Sequence, residues 1–223
     1  PQLVTAWRRD VHALFTERES WLARETTTHV PATMSVTGMQ QLVADPDGFA
    51  LALRRPMPRR PSRAASRGTK FHAWVATQWQ QHPLIEDVDY AADAHLDEQD
   101  VALADLIEAF TASEYANVAP AYVEVPFSVS LAGFTVIGRI DAVFRTAHGW
   151  EIVDWKTNRN ADADPMQLAL YRLAWSRMQG VAIEHVSAAF FYIVRNVKVP
   201  LAEFPTEAEL ASAITQSLTG ASP

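Results

Sequence analysis

Gly138-Arg139-Ile140-Asp141-Ala142-Val143-Phe144, followed shortly by Ile152-Val153-Asp154-Trp155-Lys156-Thr157, decides how this chain is read. Both runs are rich in β-branched and aromatic residues, and a short Gly-containing connection joins them, so they predict a hairpin. A loop of two or four residues centred on Ala147 and His148 places Asp141 directly across from Asp154, with Val143 across from Ile152. Directly opposed side chains have Cβ atoms about 4.5–5.5 Å apart, and opposed like charges destabilise a sheet. Two carboxylates so placed need a shared proton or a cation between them. Lys156, two residues beyond Asp154, projects on the same face. The other face pairs Ile140 with Trp155 and Ala142 with Val153, which suits a core. A three-residue turn with Gly149 in the left-handed region would shift the register by one and undo this arrangement.

Two acids and a lysine suit phosphodiester hydrolysis. Carboxylate oxygens hold a hard divalent ion, which neutralises phosphate charge and acidifies water, and an ammonium stabilises the transition state. The competing reading is a surface hairpin in which Lys156 only pairs with Asp154. A bare Asp-x-Lys also arises by chance.

Outward from the hairpin, residues 122–129, 134–145 and 150–155 read as a three-strand meander. Upstream, residues 6–24 have helical spacing in Trp7, Val11, Leu14, Phe15 and Leu22, and residues 25–34 read as a loop. Ser35 is positioned to cap a helix through Val43, which Asp45 and Pro46 stop. Residues 54–67 hold Pro56, Pro58 and Pro61 and predict an extended connection. Gly68 precedes an amphipathic segment with Phe71, Trp74, Val75 and Trp79 on one face and His72 beside it. A further helix is predicted over 101–112. Downstream, Asp164 and Pro165 form an N-cap and N1 pair for a helix to about Met178. Residues 188–194 form a buried strand. Thr206 and Glu209 form a capping box for a last helix over 207–218. This order predicts an α/β fold around one mixed central sheet.

Composition bounds the chemistry. Nearly half of the 223 residues are apolar (48%), ample for a core. No run of about 18 apolar residues predicts a membrane helix, and no N-terminal signal peptide is evident, so the cytoplasm is the expected location. The chain opens at Pro1 without an initiator Met, which predicts a piece of a longer protein. With no cysteine, any metal is held by oxygen and imidazole. The net charge of −7 disfavours a general nucleic-acid coat protein. Yet Arg54, Arg55, Arg59, Arg60, Arg63, Arg67 and Lys70 form a basic stretch without an acid among them. It reads either as a solvated linker or as a phosphate-tracking edge, with Arg59, Arg60, Arg63, Arg67 and Lys70 as phosphate contacts.

The run 138–157 resembles the nuclease core of RecB-like PD-(D/E)XK enzymes, whose hairpin carries an Asp, a spacer and Asp-x-Lys. Gly68-Thr69-Lys70-Phe71-His72 resembles the upstream helix that supplies a His ligand in that group. Gln167 and Tyr171, one helical turn apart, match its Gln-x-x-x-Tyr motif, and Glu124 matches an acid on the strand before the hairpin. The whole chain is similar to the C-terminal nuclease modules of bacterial UvrD-like helicase–nucleases of the AdnAB and AddAB type, on Arg-Pro-Met-Pro at 55–58 and Phe-His-Ala-Trp-Val at 71–75. Ile140 replaces the family's Pro. Without cysteines, the iron–sulfur AddB subtype is excluded, and without a Gly-x-x-x-x-Gly-Lys-Ser/Thr loop this chain is not itself the motor.

The resemblance implies a restriction-endonuclease-like PD-(D/E)XK core over 31–223, with residues 1–30 a helical extension or linker from a motor domain. It implies a deoxyribonuclease, an exonuclease in DNA repair and recombination, that uses Mg2+ or Mn2+ on single-stranded DNA ends fed by an ATP-dependent helicase motor. His72, Asp141, Asp154 and the backbone carbonyl of Trp155 would hold the metal. Asp141, Asp154 and Lys156 would be catalytic, with Glu124, Gln167 and Tyr171 on the DNA side or supporting the metal ligands. Gln167 and Tyr171 read equally as helix packing, and Glu124 as an edge charge. Two other readings compete: an inactive nuclease fold that guides DNA or acts as scaffold in a helicase complex, and an α/β interaction domain. The acidic charge predicts weak DNA affinity, which a tight complex in about 0.2 M salt would contradict.

Overall fold

A computed structural model describes residues 2–22, 28–57, 63–79, 103–160, 162–201 and 203–220. In chain order the elements are α1 (Gln2–Leu22), β1 (Thr33–Ser35), α2 (Val36–Ala44), α3 (Pro46–Arg54), α4 (Arg63–Gln78), α5 (Leu103–Thr111), β2 (Tyr122–Leu131), β3 (Phe134–Thr146), β4 (Gly149–Lys156), α6 (Pro165–Gln179), β5 (Val186–Tyr192), β6 (Val197–Pro200) and α7 (Glu207–Gly220). The sheet is mixed: β2, β3 and β4 form the expected antiparallel meander, β1 is parallel to β3, β4 is parallel to β5, and β6 closes the far edge.

The hairpin has the expected register. Ala142 pairs with Val153, Val143 with Ile152 and Thr146 with Gly149 around a two-residue turn, but the ladder ends at Ala142 and Val153, so Asp141 and Asp154 lie just beyond it and not as a ladder pair. That register excludes the three-residue alternative; Gly149 follows the turn at φ 144, where a Cβ would collide with the His185 carbonyl. β2 covers one edge of β3 from Phe134 to Val143. β1 and β4 therefore share the opposite edge, β1 along 135–137 and β4 along 142–146. Between them, no strand among the described residues pairs with 138–141 of β3 on that edge, and Asp141 stands in this opening.

Three helix starts follow their local chemistry. The Ser35 side chain accepts from Gly38 N–H, Asp164 from Met166 N–H, and Thr206 and Glu209 satisfy each other reciprocally. Two expectations about helices are corrected. Residues 54–67 are not an extended connection throughout: α4 begins at Arg63, and Gly68 lies inside it. Asp45 and Pro46 end α2, but they also start α3, with Asp45 accepting from Gly48 N–H. The same Asp-Pro pair stops one helix and caps the next.

The sheet buries two cores. Val136, Ile140, Val143 and Ile152 pack with α2, α6 and α7 through residues such as Met39, Leu170, Trp175 and Ile214. Ala142, Phe144, Val153 and Trp155 pack with α4 and α5 through Phe71, Val75, Leu106 and Phe110. Strict alternation would put Ile140 and Ala142 on one face. They lie in different cores, so Ile140 does not back Trp155 as the sequence suggested. The cause sits on the neighbouring strand. Val123 pairs with Ala142 and Val125 with Ile140, and between them Glu124 adopts φ 50. A left-handed residue within a strand rotates the pleat and re-aims the side chains on either side.

Gly138 marks close packing beside this kink. A Cβ there would lie 2.7 Å from the Phe127 ring and 3.0 Å from Val36, both buried. Gly138→Ala is expected to lower stability by about 1–3 kcal/mol through overpacking, read as a reduced urea midpoint. An unchanged midpoint would show that Phe127 can move aside. On α1, by contrast, Trp7, Val11, Leu14 and Phe15 are exposed.

Candidate active site

The kink and the opening in β3 bring together side chains from five elements. Asp141, on β3, is 8% exposed. Its Oδ2 accepts from the Trp155 N–H at 2.8 Å, so the carboxylate takes a backbone donor where β3 and β4 part. Its Oδ1 lies 3.3 Å from His72 Nδ1. His72, on α4, also stands 3.6 Å from Glu124 Oε1. Glu124 holds its left-handed backbone at a cost of about 1–3 kcal/mol for a residue other than glycine, and the register puts it opposite Asp141. Ligand atoms of His72, Glu124 and Asp141 all lie within 4.8 Å of one another. Among the described residues, Asp154 is outside this group.

Asp154, on β4 and 2% exposed, faces the other way along the site. Lys156 Nζ lies 2.8 Å from its Oδ2, and Gln167 Nε2 donates to its Oδ1 at 2.7 Å. Gln167, on α6, closes the network. Its Oε1 accepts from Lys156 Nζ at 2.8 Å, and its Nε2 lies 2.9 Å from the Tyr171 hydroxyl. Lys156 Nζ also lies 5.0 Å from the centre of the Phe190 ring. Gln167 thus positions Asp154 and Lys156 relative to each other, a bridge that spacing alone does not reveal. Tyr171 is buried beneath it, edge-on to Phe127.

The electrostatics are those of crowded carboxylates. Burial, and then the charge of Asp141, push Asp154 up to about 7 against the opposing pull of Lys156. Burial disfavours charge on His72, but Asp141 and Glu124 outweigh it and hold the imidazole well above its ordinary value. Burial, with Asp154 second, raises Tyr171 above the usual phenol range. A site that draws protons onto an acid and an imidazole, with carboxylates held together, is one a cation would satisfy.

The other predicted residues are placed as follows. Trp155 contributes its amide to Asp141, while its indole packs against Phe110 and Tyr115. Lys70 is exposed and Arg67 half-buried on α4, and Arg63 starts that helix. Arg59 and Arg60 lie outside the described residues. Sequence reasoning missed Arg139, whose guanidinium lies 3.5 Å from Glu124 Oε2. The signal was available: Arg139 is two residues before Asp141 on the same strand.

A family model for the PD-(D/E)XK nuclease superfamily matches residues 33–220. The chain belongs to the PD-(D/E)XK nuclease superfamily. Its mixed sheet flanked by helices is the fold of that group. A Eubacterium rectale protein provisionally designated an exonuclease superposes with TM-score 0.51 at 13% identity, over 86% of this chain and 83% of its own, a likeness of fold. The crystal structure of SSO0001 overlaps 95% of this chain and 86% of its own at 14% identity, with TM-score 0.43. No curated protein matches significantly. PD-(D/E)XK nucleases use divalent metals, and the donors present here, two carboxylates and an imidazole without thiolate, fit such an ion. A nuclease binds DNA. Among the described residues, no helix is long and apolar enough to cross a membrane.

Proposed function

We propose that this domain hydrolyses phosphodiester bonds of single-stranded DNA ends, as an exonuclease using Mg2+ or Mn2+. The observation that carries the reading is the Asp154–Lys156–Gln167 network beside the His72–Glu124–Asp141 group, at the opening in the sheet edge. When bound, a divalent ion supplies positive charge next to the phosphate and acidifies water.

The chain's own residues then divide the work. Asp141, His72 and Glu124 would hold the ion, with Asp154 and the Trp155 carbonyl as further oxygen donors. The Trp155 N–H keeps the Asp141 carboxylate from rotating. Lys156 presents its ammonium to phosphate oxygens and water, and Gln167 holds that ammonium in place through Oε1. Arg139 balances Glu124. Arg63, Arg67 and Lys70, with Arg59 and Arg60, track the phosphates leading to the site. The resemblance to AdnAB and AddAB modules supports a place in the cytoplasm within a DNA-repair and recombination helicase–nuclease. Residues 31–223 would then be the nuclease domain and residues 1–30 its helical link to a motor.

The test is incubation of the purified chain with end-labelled single-stranded DNA and Mn2+ or Mg2+, beside an Asp141→Ala variant. Metal-dependent cleavage by the wild type alone supports the reading. No cleavage by a folded wild type points to a DNA-guiding or scaffold domain. In the same assay Gln167→Ala is expected to lower the rate about 10–100-fold, the usual effect of removing a group that orients a ligand. An unaffected rate would leave Gln167 as packing alone.

A further inference from the structure

Beyond Lys156, away from His72, a groove of roughly 480 Å3 runs between α2 and the start of α6. Thr37, Gln40 and Gln41 of α2 form one wall, Asp164 lies on the other, and Lys156 and Gln167 stand at its inner end. Thr37 and Gln41 lie on the exposed face of α2, away from the buried Val36, Met39 and Leu42, and Gln40 is half-buried at the margin beside Val36. No hydrogen bond ties these three side chains to another described residue, so amides and a hydroxyl point into the groove uncommitted.

The charges decide what fits. Among the described residues Lys156 is the only cation of the lining, already shared with Asp154, and Asp164 opposes a phosphate at the outer end. A groove for a run of phosphates would carry several Arg or Lys side chains. Neutral amides, which both donate and accept, match base edges instead. The volume lies within the range of single small-molecule sites, about 300–1,000 Å3, which suits one unpaired nucleotide and not a turn of duplex. Among the described residues no aromatic side chain lines it, and the lining offers hydrogen-bonding groups instead of a stacking surface.

We infer that this groove seats the nucleobase adjoining the cleaved phosphate, and that Gln40 and Gln41 bind its edge. The inference rests on the nuclease reading and adds the substrate feature beside the reacting bond. The base must be free of its complement to enter, so the groove itself selects single-stranded DNA.

An abasic scan tests it. Oligonucleotides of one sequence, each missing a single base at successive positions from the labelled end, are cleaved by wild type and by Gln40→Ala/Gln41→Ala. For wild type, loss of one base at a fixed distance from the cleaved bond is expected to raise KM about 2- to 10-fold at unchanged kcat. The double variant is expected to have that higher KM on the intact strand and to be blind to base removal at that position. Normal cleavage with no position sensitive to base loss overturns the inference and leaves the nuclease reading intact. So does a variant as sensitive as wild type. If folded wild type does not cleave, the nuclease reading fails, and the same scan read as equilibrium binding with Ca2+ decides the groove by the same criteria. Absence of binding to any of these strands overturns both.

Discussion

Asp154→Asn is expected to abolish metal-dependent cleavage while raising the melting temperature of the metal-free protein at about pH 8. The two effects come from one property. Asp154 is buried beside Asp141, and its proton affinity is raised to about 7 even with Lys156 at 2.8 Å. The fold therefore disfavours the ionised carboxylate, and asparagine relieves that penalty while keeping an oxygen for the Gln167 amide. Lys156 is only partly buried and can turn to solvent. For catalysis the same exchange removes an anionic ligand, with an expected loss of about a thousandfold or more. Cleavage assays and thermal melts on one preparation check both arms. Retained cleavage would remove Asp154 from the site. A lower melting temperature would mean that the ion pair with Lys156 holds the fold together.

The metal-free protein is also expected to lose stability as pH rises, and a divalent cation to restore it. The folded value of Asp154 is about 7 against 3.8 without the fold, so the native state binds the extra proton. That contribution is complete below about pH 4 and is lost as pH rises through about 7. His72, raised above 6.5, extends the loss to higher pH with the same sign. A cation takes the place of both protons, so its binding releases them and strengthens as pH rises. Thermal melts from about pH 5 to about pH 8, with and without Mn2+, read this directly. The shift produced by Mn2+ is expected to grow across that range. A metal-free melting temperature independent of pH, or a Mn2+ effect that shrinks with pH, would contradict the site's proposed role.

Much of the fold was legible because local chemistry agreed with tertiary structure. Ala147-His148-Gly149 allows a two-residue turn, and the hairpin register follows from it. Ser35, Asp164 and Thr206 cap helices for reasons contained in a few residues. The short strands were not legible. β1 has three residues and β6 four, too few for a period, and each exists because a longer neighbour offers it an edge. α3 is hidden in the sequence because one Asp-Pro pair both ends α2 and caps α3.

The candidate site was legible as chemistry and less so as geometry. The residue types were in view, but Gln167 bridging Asp154 to Lys156 depends on how α6 crosses the sheet. Glu124 joining His72 and Asp141 in one group depends on a backbone state that no spacing rule gives for a glutamate. The assignment of Ile140 to the face of Trp155 failed for the same reason, since a period of two holds only while the strand stays extended.

That backbone state also bears on how variants of this protein would fare under selection. At φ 50, glycine meets no steric objection and glutamate does. A screen scoring only folding or expression would favour Glu124→Gly, counting relief of the backbone as improvement while discarding a carboxylate from beside His72. Position 124 is thus one where a library ranked by thermal tolerance and one ranked by DNA cleavage would be enriched in different residues.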